Sequence, residues 1–451
     1  MLNLNNKIIN CICLIASCFV ISHCSDGEDT LSGVRFGLDV PLETSELINS
    51  GEMSEITESN ISDQILPILL PEQKNYLEWT HRNGNAEHKI IHPYISESPE
   101  LVWKVKIGKG NGTKHRITSD PIVVNEEIFI LNSFSTVVKL STDGLIKWKT
   151  KLTPQFDAES ETSAGGIAFG ANKVFATTGF GELFAISTRN GEILWKQRFK
   201  APINSAPTIF QDQVFVITAN GQSFSLDVDT GRIQWQQQST LPSALLLGGS
   251  SVTINEKLAL IPFESGELTA VLKDSGIRIW SASVASTRKG SARSNINSVT
   301  SDPVVFQGHV YTANQGGRLV ALNIENGSRA WTAKDGSYSP VWVVDKSLFI
   351  VTDLAKLKRL NKDTGKQVWS INLPQYPNKK KRNKSYAHFG PILAGARLWV
   401  ASSDGFLRSF DVTSGQLLNK IRIPSGAASH PAIVDGSLYV LSQSGHLLAY
   451  K

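Results

Sequence analysis

Histidine is the residue type in this chain whose spacing comes closest to that of a metal site. His88 and His92 stand four residues apart, as two zinc ligands on one helix do, but the glutamate that follows the first histidine in a zinc-protease helix is Lys89 here. Two polar residues in a segment before the first strand are the simpler interpretation. The chain also has no complete Gly-Xaa-Ser-Xaa-Gly turn and no phosphate-binding glycine loop with its lysine. We therefore predict no metal site and no catalytic residue.

Cysteine is confined to the N-terminus of the chain. The four cysteines are Cys11, Cys13, Cys18 and Cys24, and the sequence from residue 25 to residue 451 has none. A disulfide framework, a thiolate nucleophile and a cysteine-ligated metal are therefore excluded from that long part of the chain. Any cysteine chemistry belongs to the first 24 residues.

The N-terminus has the pattern of an export signal. Residues 8–21 are almost all apolar and follow Lys7, and this run is too short to cross a bilayer comfortably. A bacterial lipoprotein signal ends in an apolar residue, two small residues and the lipidated cysteine. Cys18 fits that pattern but is followed by apolar residues, whereas Cys24 is followed by a polar stretch. We predict a lipoprotein signal peptide at 1–23 with lipidation at Cys24, with Cys18 as the alternative. A secretory signal that is uncleaved or cleaved elsewhere stays open.

Residues 24–75 are predicted to be an acidic, flexible tether. From residue 25 to residue 75 there are eleven Asp or Glu residues, and Arg35 and Lys74 are the only basic ones.

The whole chain has 41% hydrophobic and 19% charged residues and a formal net charge of +5, so a large core is possible and nucleic acid is not an expected partner. One basic run, Lys379 to Lys384, is either a solvated loop tip or a contact for anionic lipid or an acidic surface.

A sequence repeat occupies the chain from about residue 101 to its end. Each copy has a turn that ends in glycine, followed four residues later by tryptophan, as in the Asp-Val-Asp-Thr-Gly-Arg-Ile-Gln-Trp run at 227–235. The repeated positions are Trp103, Trp148, Trp195, Trp235, Trp280, Trp331, Trp369 and, in the last copy, Asn419. They are 38 to 51 residues apart, which is the length of a β-propeller blade. We expect each tryptophan to bury its indole between adjacent blades.

Each copy predicts four short antiparallel strands joined by hairpins. Pro207–Phe210 illustrates the first strand, which begins with proline, and 214–217 the second, rich in β-branched and aromatic residues. The third strand leads into the turn, where glycine permits a positive φ, and the tryptophan strand comes last.

The two ends of the repeat predict how the ring closes. The last copy ends at residue 451 after three strands, and Leu101–Ile107 is a fourth strand without three predecessors. Joining them gives an all-β, eight-bladed propeller in which the N-terminal strand completes the last blade. The predicted propeller domain spans residues 76–451.

The repeat resembles that of quinoprotein-type propellers, which carry the same Asp-Xaa-Xaa-Thr-Gly-Xaa-Xaa-Xaa-Trp run. Over residues 76–451 the chain is similar to the BamB family, the lipoprotein subunits of the outer-membrane β-barrel assembly machine. Trp79–His88, followed by Leu101–Gly108, looks like the start of a BamB-type propeller. The resemblance implies a non-enzymatic scaffold, lipid-anchored at the periplasmic face of the outer membrane. Its implied partner is the central barrel-assembly protein, and contact with nascent outer-membrane proteins stays open.

The resemblance also implies two partner-binding loops, because neighbouring inter-blade loops of BamB proteins contact the POTRA domains of the central barrel protein. They fall here at Leu241–Gly248 and Ile296–Pro303. The candidate partner-binding residues are Leu241, Ala244, Leu245, Leu246, Leu247, Asn297, Ser298 and Thr300. Leu247 replaces the arginine that usually faces the partner, and Ser298 and Thr300 replace two acidic residues. The charged pairing of the family is therefore absent.

Two alternatives remain at the level of sequence. Quinone-dependent dehydrogenases resemble this chain in their propeller but hold a quinone and a calcium ion, and many have a pair of adjacent cysteines beside the cofactor. The absence of cysteine after residue 24 and the shorter chain favour a scaffold without a cofactor. A periplasmic propeller that binds some other protein is the second alternative.

Overall fold

The computed structural model describes residues 67–155, 165–242, 248–285, 288, 296–378, 380 and 384–451. The predicted signal peptide, the predicted lipidation sites Cys24 and Cys18, and most of the predicted tether lie outside the described residues. So do Ala244, Leu245, Leu246 and Leu247. The described chain contains no helix that is long and apolar enough to cross a membrane.

The described residues form thirty-two strands in eight antiparallel four-stranded sheets. The sheets are blades of a ring, because the innermost strands of most neighbouring blades contact one another. The two remaining neighbours are joined by hydrogen bonds from Thr253 Oγ1 to Pro303 O and from Gln443 Nε2 to Ser403 O. The predicted eight-bladed β-propeller is thus confirmed.

The first four blades follow one another along the chain. Blade 1 contains β2 (Ile122–Val124), β3 (Glu127–Leu131), β4 (Thr136–Ser141) and β5 (Ile146–Lys151). Blade 2 contains β6 (Ile167–Gly170), β7 (Lys173–Thr177), β8 (Glu182–Ser187) and β9 (Ile193–Arg198). Blade 3 contains β10 (Thr208–Phe210), β11 (Gln213–Thr218), β12 (Gln222–Asp227) and β13 (Ile233–Gln238). Blade 4 contains β14 (Thr253–Asn255), β15 (Leu258–Pro262), β16 (Glu267–Leu272) and β17 (Arg278–Ser283).

The other four blades complete the ring. Blade 5 contains β18 (Val304–Phe306), β19 (His309–Asn314), β20 (Arg318–Asn323) and β21 (Arg329–Ala333). Blade 6 contains β22 (Trp342–Val344), β23 (Ser347–Val351), β24 (Lys356–Asn361) and β25 (Gln367–Asn372). Blade 7 contains β26 (His388–Ala394), β27 (Arg397–Ser402), β28 (Phe406–Asp411) and β29 (Leu417–Arg422). Blade 8 contains β30 (Ala432–Val434), β31 (Ser437–Leu441), β32 (His446–Tyr450) and β1 (Leu101–Lys106).

Ring closure occurs where the sequence predicts it. Strand β1 pairs antiparallel with β32, in a register that places Trp103 opposite Ala449 and Lys106 opposite His446. The first strand of the propeller thereby supplies the outer strand of the last blade. A strand that pairs residues more than three hundred positions apart locks the ring against opening.

The strand-opening prolines occupy the predicted place in four blades and differ in two, since Pro340 stands two positions before β22 and Pro391 lies inside β26. Pro121, Pro207, Pro303 and Pro431 each stand directly before the first strand of a blade. Pro391 lies inside β26, because the pairing of β26 with β27 begins earlier and is interrupted between Phe389 and Ile392. Proline is tolerated at this interruption because the irregular register requires no ladder donor there.

The repeated tryptophans dock each blade onto the next one. Their indole N–H groups donate to a backbone carbonyl at the end of the third strand of the following blade, at 2.7–3.1 Å, in six cases: Trp103, Trp148, Trp195, Trp235, Trp280 and Trp331. The rings also lie against the turn glycine of that blade. A Cβ on Gly231, whose φ is 70°, would come within 2.6 Å of the Trp195 ring. Glycine is therefore required both by the turn and by the indole.

The last two docking positions depart from this pattern for a structural reason. The Trp369 ring lies against Gly415, although its N–H has no hydrogen-bond partner among the described residues. Blade 8, which follows the blade of Asn419, has no such turn, because its third and fourth strands, β32 and β1, are not consecutive in the sequence. Asn419 therefore faces no turn glycine, and its amide donates to Ser98 Oγ at 3.3 Å instead.

Residues 74–97, here called the clasp, contact the inner region of every blade. The contacts, from blade 8 to blade 7, are Asp435 N to Tyr76 O, Trp79 N to Val123 O, Phe169 N to Thr80 O, Ile209 N to His81 Nε2, Ile254 N to Ala86 O, Lys89 Nζ over the Phe306 ring, Trp342 Nε1 to Ile91 O, and Gly395 N to Pro93 O. Because it meets inner strands on all sides, the clasp occupies the propeller axis. It satisfies backbone groups on the free inner edges.

Candidate protein-binding face

The two predicted partner-binding loops leave the propeller on one face. The first connects β13 to β14 and the second connects β17 to β18, and both follow the outer strand of a blade. In an antiparallel four-stranded blade, the turn between the second and third strands lies at the same end as these connections. We call this end of the ring the loop face, and the end with the other two hairpins the hairpin face.

The two loops are tied together near the axis. Ser250 Oγ donates to Val299 O at 2.9 Å, and Ser251 N donates to Asp302 Oδ1 at 2.5 Å. Val299 and Asp302 belong to the second loop and the two serines to the first. Residues about fifty positions apart are therefore joined into one surface.

The candidate residues within these loops differ in accessibility. The side chain of Leu241 is 76% exposed, which is unusual for a leucine, and Asn297 is half-buried. Ser298 and Thr300 are buried. Their hydroxyls donate to Glu264 O and Ser337 O, respectively. The structure thus leaves Leu241 and Asn297 available for contact and uses Ser298 and Thr300 inside the propeller.

A buried ion-pair network lies at the deepest point of the clasp. Arg82 Nε donates to Asp120 Oδ2 at 2.7 Å, and its Nη1 lies 3.6 Å from Asp302 Oδ2. The same guanidinium donates to the carbonyls of Thr118 and Gly249. Burial alone would lower the pKa of Arg82, but the two carboxylates outweigh it and raise the pKa above its usual value. The clasp is thereby bonded to the loop that carries the first candidate site.

Asp120 connects this network to blade 8. The backbone N of His430 donates to Asp120 Oδ1 at 2.8 Å, and the His430 ring lies between Asp120 and Ser339, with its Nε2 at 2.9 Å from Ser339 Oγ. Burial would raise the pKa of Asp120, but His430 and Arg82 outweigh it and hold the pKa below its usual range. The Asp120 carboxylate is therefore ionised, and both of its oxygens make contacts within the propeller.

Two clasp histidines are held in the neutral form. His81 Nε2 accepts from Ile209 N at 3.0 Å, and burial, with His88 nearby, lowers the pKa of His81 to about 3. His88 Nδ1 lies 2.8 Å from Thr253 Oγ1, and burial lowers its pKa as well. His92, the other histidine of the predicted spacing, lies between Pro71 O and Ala396 N. His88 and His92 therefore bond to different blades.

Glu264 is a buried carboxylate whose backbone carbonyl contacts the second candidate loop through Ser298. It lies in the turn between β15 and β16, is 8% exposed, and accepts from Asn204 Nδ2 at 3.1 Å. Burial raises its pKa to about 7, and the bond from Asn204 only partly opposes this shift. It therefore titrates near neutral pH beneath the loop that contains Ser298.

The axial residues do not fit a calcium–quinone site. A calcium ion needs six to eight oxygen ligands and unneutralised carboxylates. Asp120 and Asp302 are already compensated by Arg82, and within the described ranges no three His, Cys, Asp or Glu residues are grouped to hold a metal. The loop face does have a depression of about 410 Å³ beside Arg82 and His430, rimmed by Tyr338, Tyr386 and Phe389.

The ion-pair network of Arg82, Asp120 and Asp302 was not predicted from the sequence. Arg82 belongs to the polar run after Trp79, and both carboxylates belong to Asp-Pro pairs, Asp120-Pro121 and Asp302-Pro303, directly before inner strands. The two Asp-Pro pairs could have predicted that both carboxylates lie near the axis, because residues directly before the inner strands lie at the same radius of the ring. They could not have predicted that both aspartates contact Arg82, because that depends on the path of the clasp.

Comparisons with known proteins agree with this architecture. BamB of Shewanella oneidensis is 26% identical over 358 residues, which cover 77% of this chain and 88% of the relative. The crystal structure of BamB from Moraxella catarrhalis matches with a TM-score of 0.65 at 17% identity, over 78% of this chain and 100% of that chain. The quinohemoprotein alcohol dehydrogenase of Comamonas testosteroni matches with a TM-score of 0.67 at 13% identity, over 83% and 80% of the two chains. These two structural likenesses show the fold alone.

The sequence profile of one family covers most of the propeller. The profile described as outer membrane protein assembly factor BamB matches residues 135–371 and 355–451. These ranges span more than half of the chain and seven of the eight tryptophan-repeat positions. The chain therefore belongs to the family of outer membrane protein assembly factor BamB.

Proposed function

We propose that this protein is a non-catalytic scaffold subunit of the machinery that assembles β-barrels in the outer membrane. The family match over residues 135–451 carries the proposal, together with curated relatives that are named outer membrane protein assembly factors. The compensated axial carboxylates support a role without a cofactor. Its place would be the periplasmic face of the outer membrane, with Cys24 or Cys18 carrying the lipid anchor.

The loop face would bind the POTRA domains of the central barrel-assembly protein. The contact would be mainly apolar, made by Leu241, the neighbouring residues 244–247 and Asn297. The exposed side chain of Leu241 suits such an interface, because the buried centre of a protein–protein interface is apolar. Ser298 and Thr300 would act indirectly by holding the second loop against Glu264 and Ser337.

The bonds between the two loops support this assignment. Ser250 and Ser251 fix the first loop to the second, and Arg82 fixes both to the axis through Asp302 and the carbonyl of Gly249. A surface fixed before binding loses less conformational entropy on association. A scaffold of this kind would act by position, presenting its partner in one orientation.

Co-purification tests the proposal. A tagged chain would be captured from detergent-solubilised membranes as wild type and as Leu241→Asp/Leu245→Asp/Leu246→Asp. We expect the wild type to retain the barrel-assembly protein and the variant to lose at least about tenfold, because loss of two hot-spot leucines costs ~2 kcal/mol or more. The matched control is Leu69→Asp/Leu77→Asp/Ile277→Asp, whose three residues are 80%, 66% and 60% exposed away from the loop face.

The two parts of the proposal fail separately. If the wild type never retains the barrel-assembly protein, the proposed function is wrong. If the wild type and the loop-face variant retain it equally, the function stands and the loop assignment is wrong. Equal losses in the variant and its control would also reject the loop assignment.

A further inference from the structure

The outer strands of the eight blades present alternate side chains to solvent. In each strand, the first and third residues after the repeated tryptophan position point away from the neighbouring blade. All of them except Ser370 are exposed, as Lys149 and Lys151 are in β5. The tryptophan itself and the residue two positions later point toward that blade. These two exposed positions can be compared directly around the ring.

Four consecutive blades carry a cation at both positions. In blades 7, 8, 1 and 2 the residues are Lys420, Arg422, Lys104, Lys106, Lys149, Lys151, Lys196 and Arg198. We call this set the basic rim. In blades 3, 4, 5 and 6 the same positions hold Gln236, Gln238, Ser281, Ser283, Thr332, Lys334, Ser370 and Asn372. At these two positions, one half of the circumference therefore has eight cations and the other half has one, Lys334.

The cations of the basic rim remain accessible despite local contacts. Lys196 Nζ lies 3.5 Å from Glu182, yet 60% of its side chain is exposed. Lys420 Nζ lies 3.9 Å from the centre of the Phe406 ring, a cation–π contact that leaves its charge uncompensated. Strands β29, β1, β5 and β9 contain no Asp or Glu. The rim is therefore a band of positive charge along four strands.

Exposed apolar residues accompany these cations. Just before the tryptophan position, Val102 is 62% exposed and Leu194 is 50% exposed, and Leu418 is 47% exposed before Asn419. Blade 1 has Leu145, 62% exposed, at the corresponding turn. Each basic strand thus has an apolar end on the hairpin side and a cationic end on the loop side. Such pairing of cations and apolar side chains is typical of surfaces that bind membrane interfaces.

Edge protection is the simplest competing explanation for lysine on an outer strand. It does not explain the asymmetry. The outer strands of blades 3 to 6 are equally unpaired on their outer side, and at the same positions they have Gln, Ser, Thr and Asn with one lysine, Lys334. The only cations elsewhere in these four strands are Arg278 and Arg329. Protection of an edge therefore does not account for two cations at these positions in each of blades 7, 8, 1 and 2.

We propose that the basic rim binds the anionic surface of a phospholipid bilayer, edge-on, with blades 8 and 1 at the centre of the contact. Eight blades divide the circle equally, so a flat surface that touches blades 8 and 1 is met by Lys104, Lys106, Lys149 and Lys151, while blades 7 and 2 are inclined away from it. Charges on the inclined blades contribute less, because salt screens them over ~8–10 Å. This contact is independent of the proposed function and would orient the loop face sideways to the membrane.

The sequence before the propeller is consistent with this occupant. The predicted lipidation site Cys24 precedes residue 67 by 43 positions. That length spans at most ~150 Å when extended, so an anchored chain stays within reach of the leaflet that holds its lipid. A propeller held there by its lipid anchor has a high local concentration beside the bilayer, so a modest electrostatic attraction is enough for the basic rim to bind the membrane surface.

Vesicle co-sedimentation tests the rim directly. The full chain would carry Cys18→Ser and Cys24→Ser, so that no acyl chain contributes, and zwitterionic vesicles would report the background from the apolar leader. We expect stronger binding to vesicles containing about 30% phosphatidylglycerol in about 0.1 M NaCl, where charges are screened over ~10 Å, and loss of that excess at high salt. Lys104→Gln/Lys106→Gln/Lys149→Gln/Lys151→Gln should weaken it at least tenfold, since each cation near the surface contributes about fivefold.

Three controls make the result specific. Lys257→Gln/Lys334→Gln/Lys346→Gln/Lys366→Gln removes the same charge from exposed positions of blades 4, 5 and 6 and should bind as wild type. The four rim lysines changed to arginine should also bind as wild type, and unchanged thermal unfolding would show that every variant folds. Equal binding by the rim variant and wild type overturns the proposal, as do equal losses in both glutamine variants. Binding to polyglutamate without binding to anionic vesicles would assign the rim to an acidic protein and overturn it as well.

Discussion

The hairpin face and the loop face of this propeller are built in different ways from the same strands. On the hairpin face, first and second strands are joined by two residues in most blades, for example between β2 and β3, and the clasp enters the axis. On the loop face, the connections between blades run from 8 to 20 residues, from 334–341 to 284–303. One face is closed by a segment of the chain itself, and the other is covered by loops that differ in every blade.

The two faces therefore differ in role: contacts on the hairpin face hold the ring together, and the loops on the other face are available for binding a partner. The clasp bonds to inner strands mainly through backbone groups, which almost any sequence could supply. The loops rest on a rigid ring and can vary without altering it. Arg82 joins the two faces, because it belongs to the clasp and bonds to Asp120, Asp302 and loop carbonyls.

We expect the largest loss of stability from a substitution that removes the contacts of Arg82 with the two aspartates. Arg82→Met leaves Asp120 and Asp302 buried without their cation, and removing one partner of a buried ion pair costs about 3–5 kcal/mol. We expect the free energy of unfolding, measured with denaturant, to fall by about that amount. Arg82→Met/Asp120→Asn/Asp302→Asn should recover much of the loss, since it removes the buried charges. No recovery would mean that Arg82 acts through packing instead of charge.

Glu264 provides a pH test on the loop face. Its folded pKa of about 7 lies above the ordinary value of 4.5, so the folded state holds the proton more tightly than the unfolded state. Its contribution is therefore fully present below pH 4.5 and is lost as the pH rises through 7, by about 3 kcal/mol. Glu264→Gln should raise the denaturant midpoint at pH 8 and leave it unchanged at pH 4.5. The exposed control Glu256→Gln should change neither, and an unaltered midpoint for Glu264→Gln at pH 8 would contradict the shift.

His81 provides the opposite test on the clasp. Its folded pKa of about 3 lies below the ordinary 6.5, so its contribution is present above pH 6.5 and is lost as the pH falls toward 3. Between pH 7.5 and pH 5 the loss should be about 2 kcal/mol. His81→Gln retains an acceptor for Ile209 N without a titrating ring and should remove that part of the acid sensitivity. The comparison of the two faces fails if wild type and His81→Gln lose stability equally on acidification.

Sequence reasoning was most successful where a feature recurs in every blade. Trp195 and Gly231 meet because each repeat supplies both partners to its neighbour, so one local pattern implied the whole ring. Closure through Leu101–Lys106 also followed, since an incomplete last copy and an unmatched first strand complement each other. The loop residues were harder to place. Nothing in the sequence showed that Ser298 and Thr300 are buried while Leu241 is exposed, because that depends on the turns of blades 4 and 5.

The sequence by itself determined the number of blades, their strand order and the joining of the two ends of the propeller, because these depend on short-range periodicity. Tertiary structure alone decided that residues 74–97 occupy the axis and that Arg82 meets two aspartates from different blades. These side-chain contacts depend on the path that residues 74–97 take across the blades, and no repeating local pattern encodes that path.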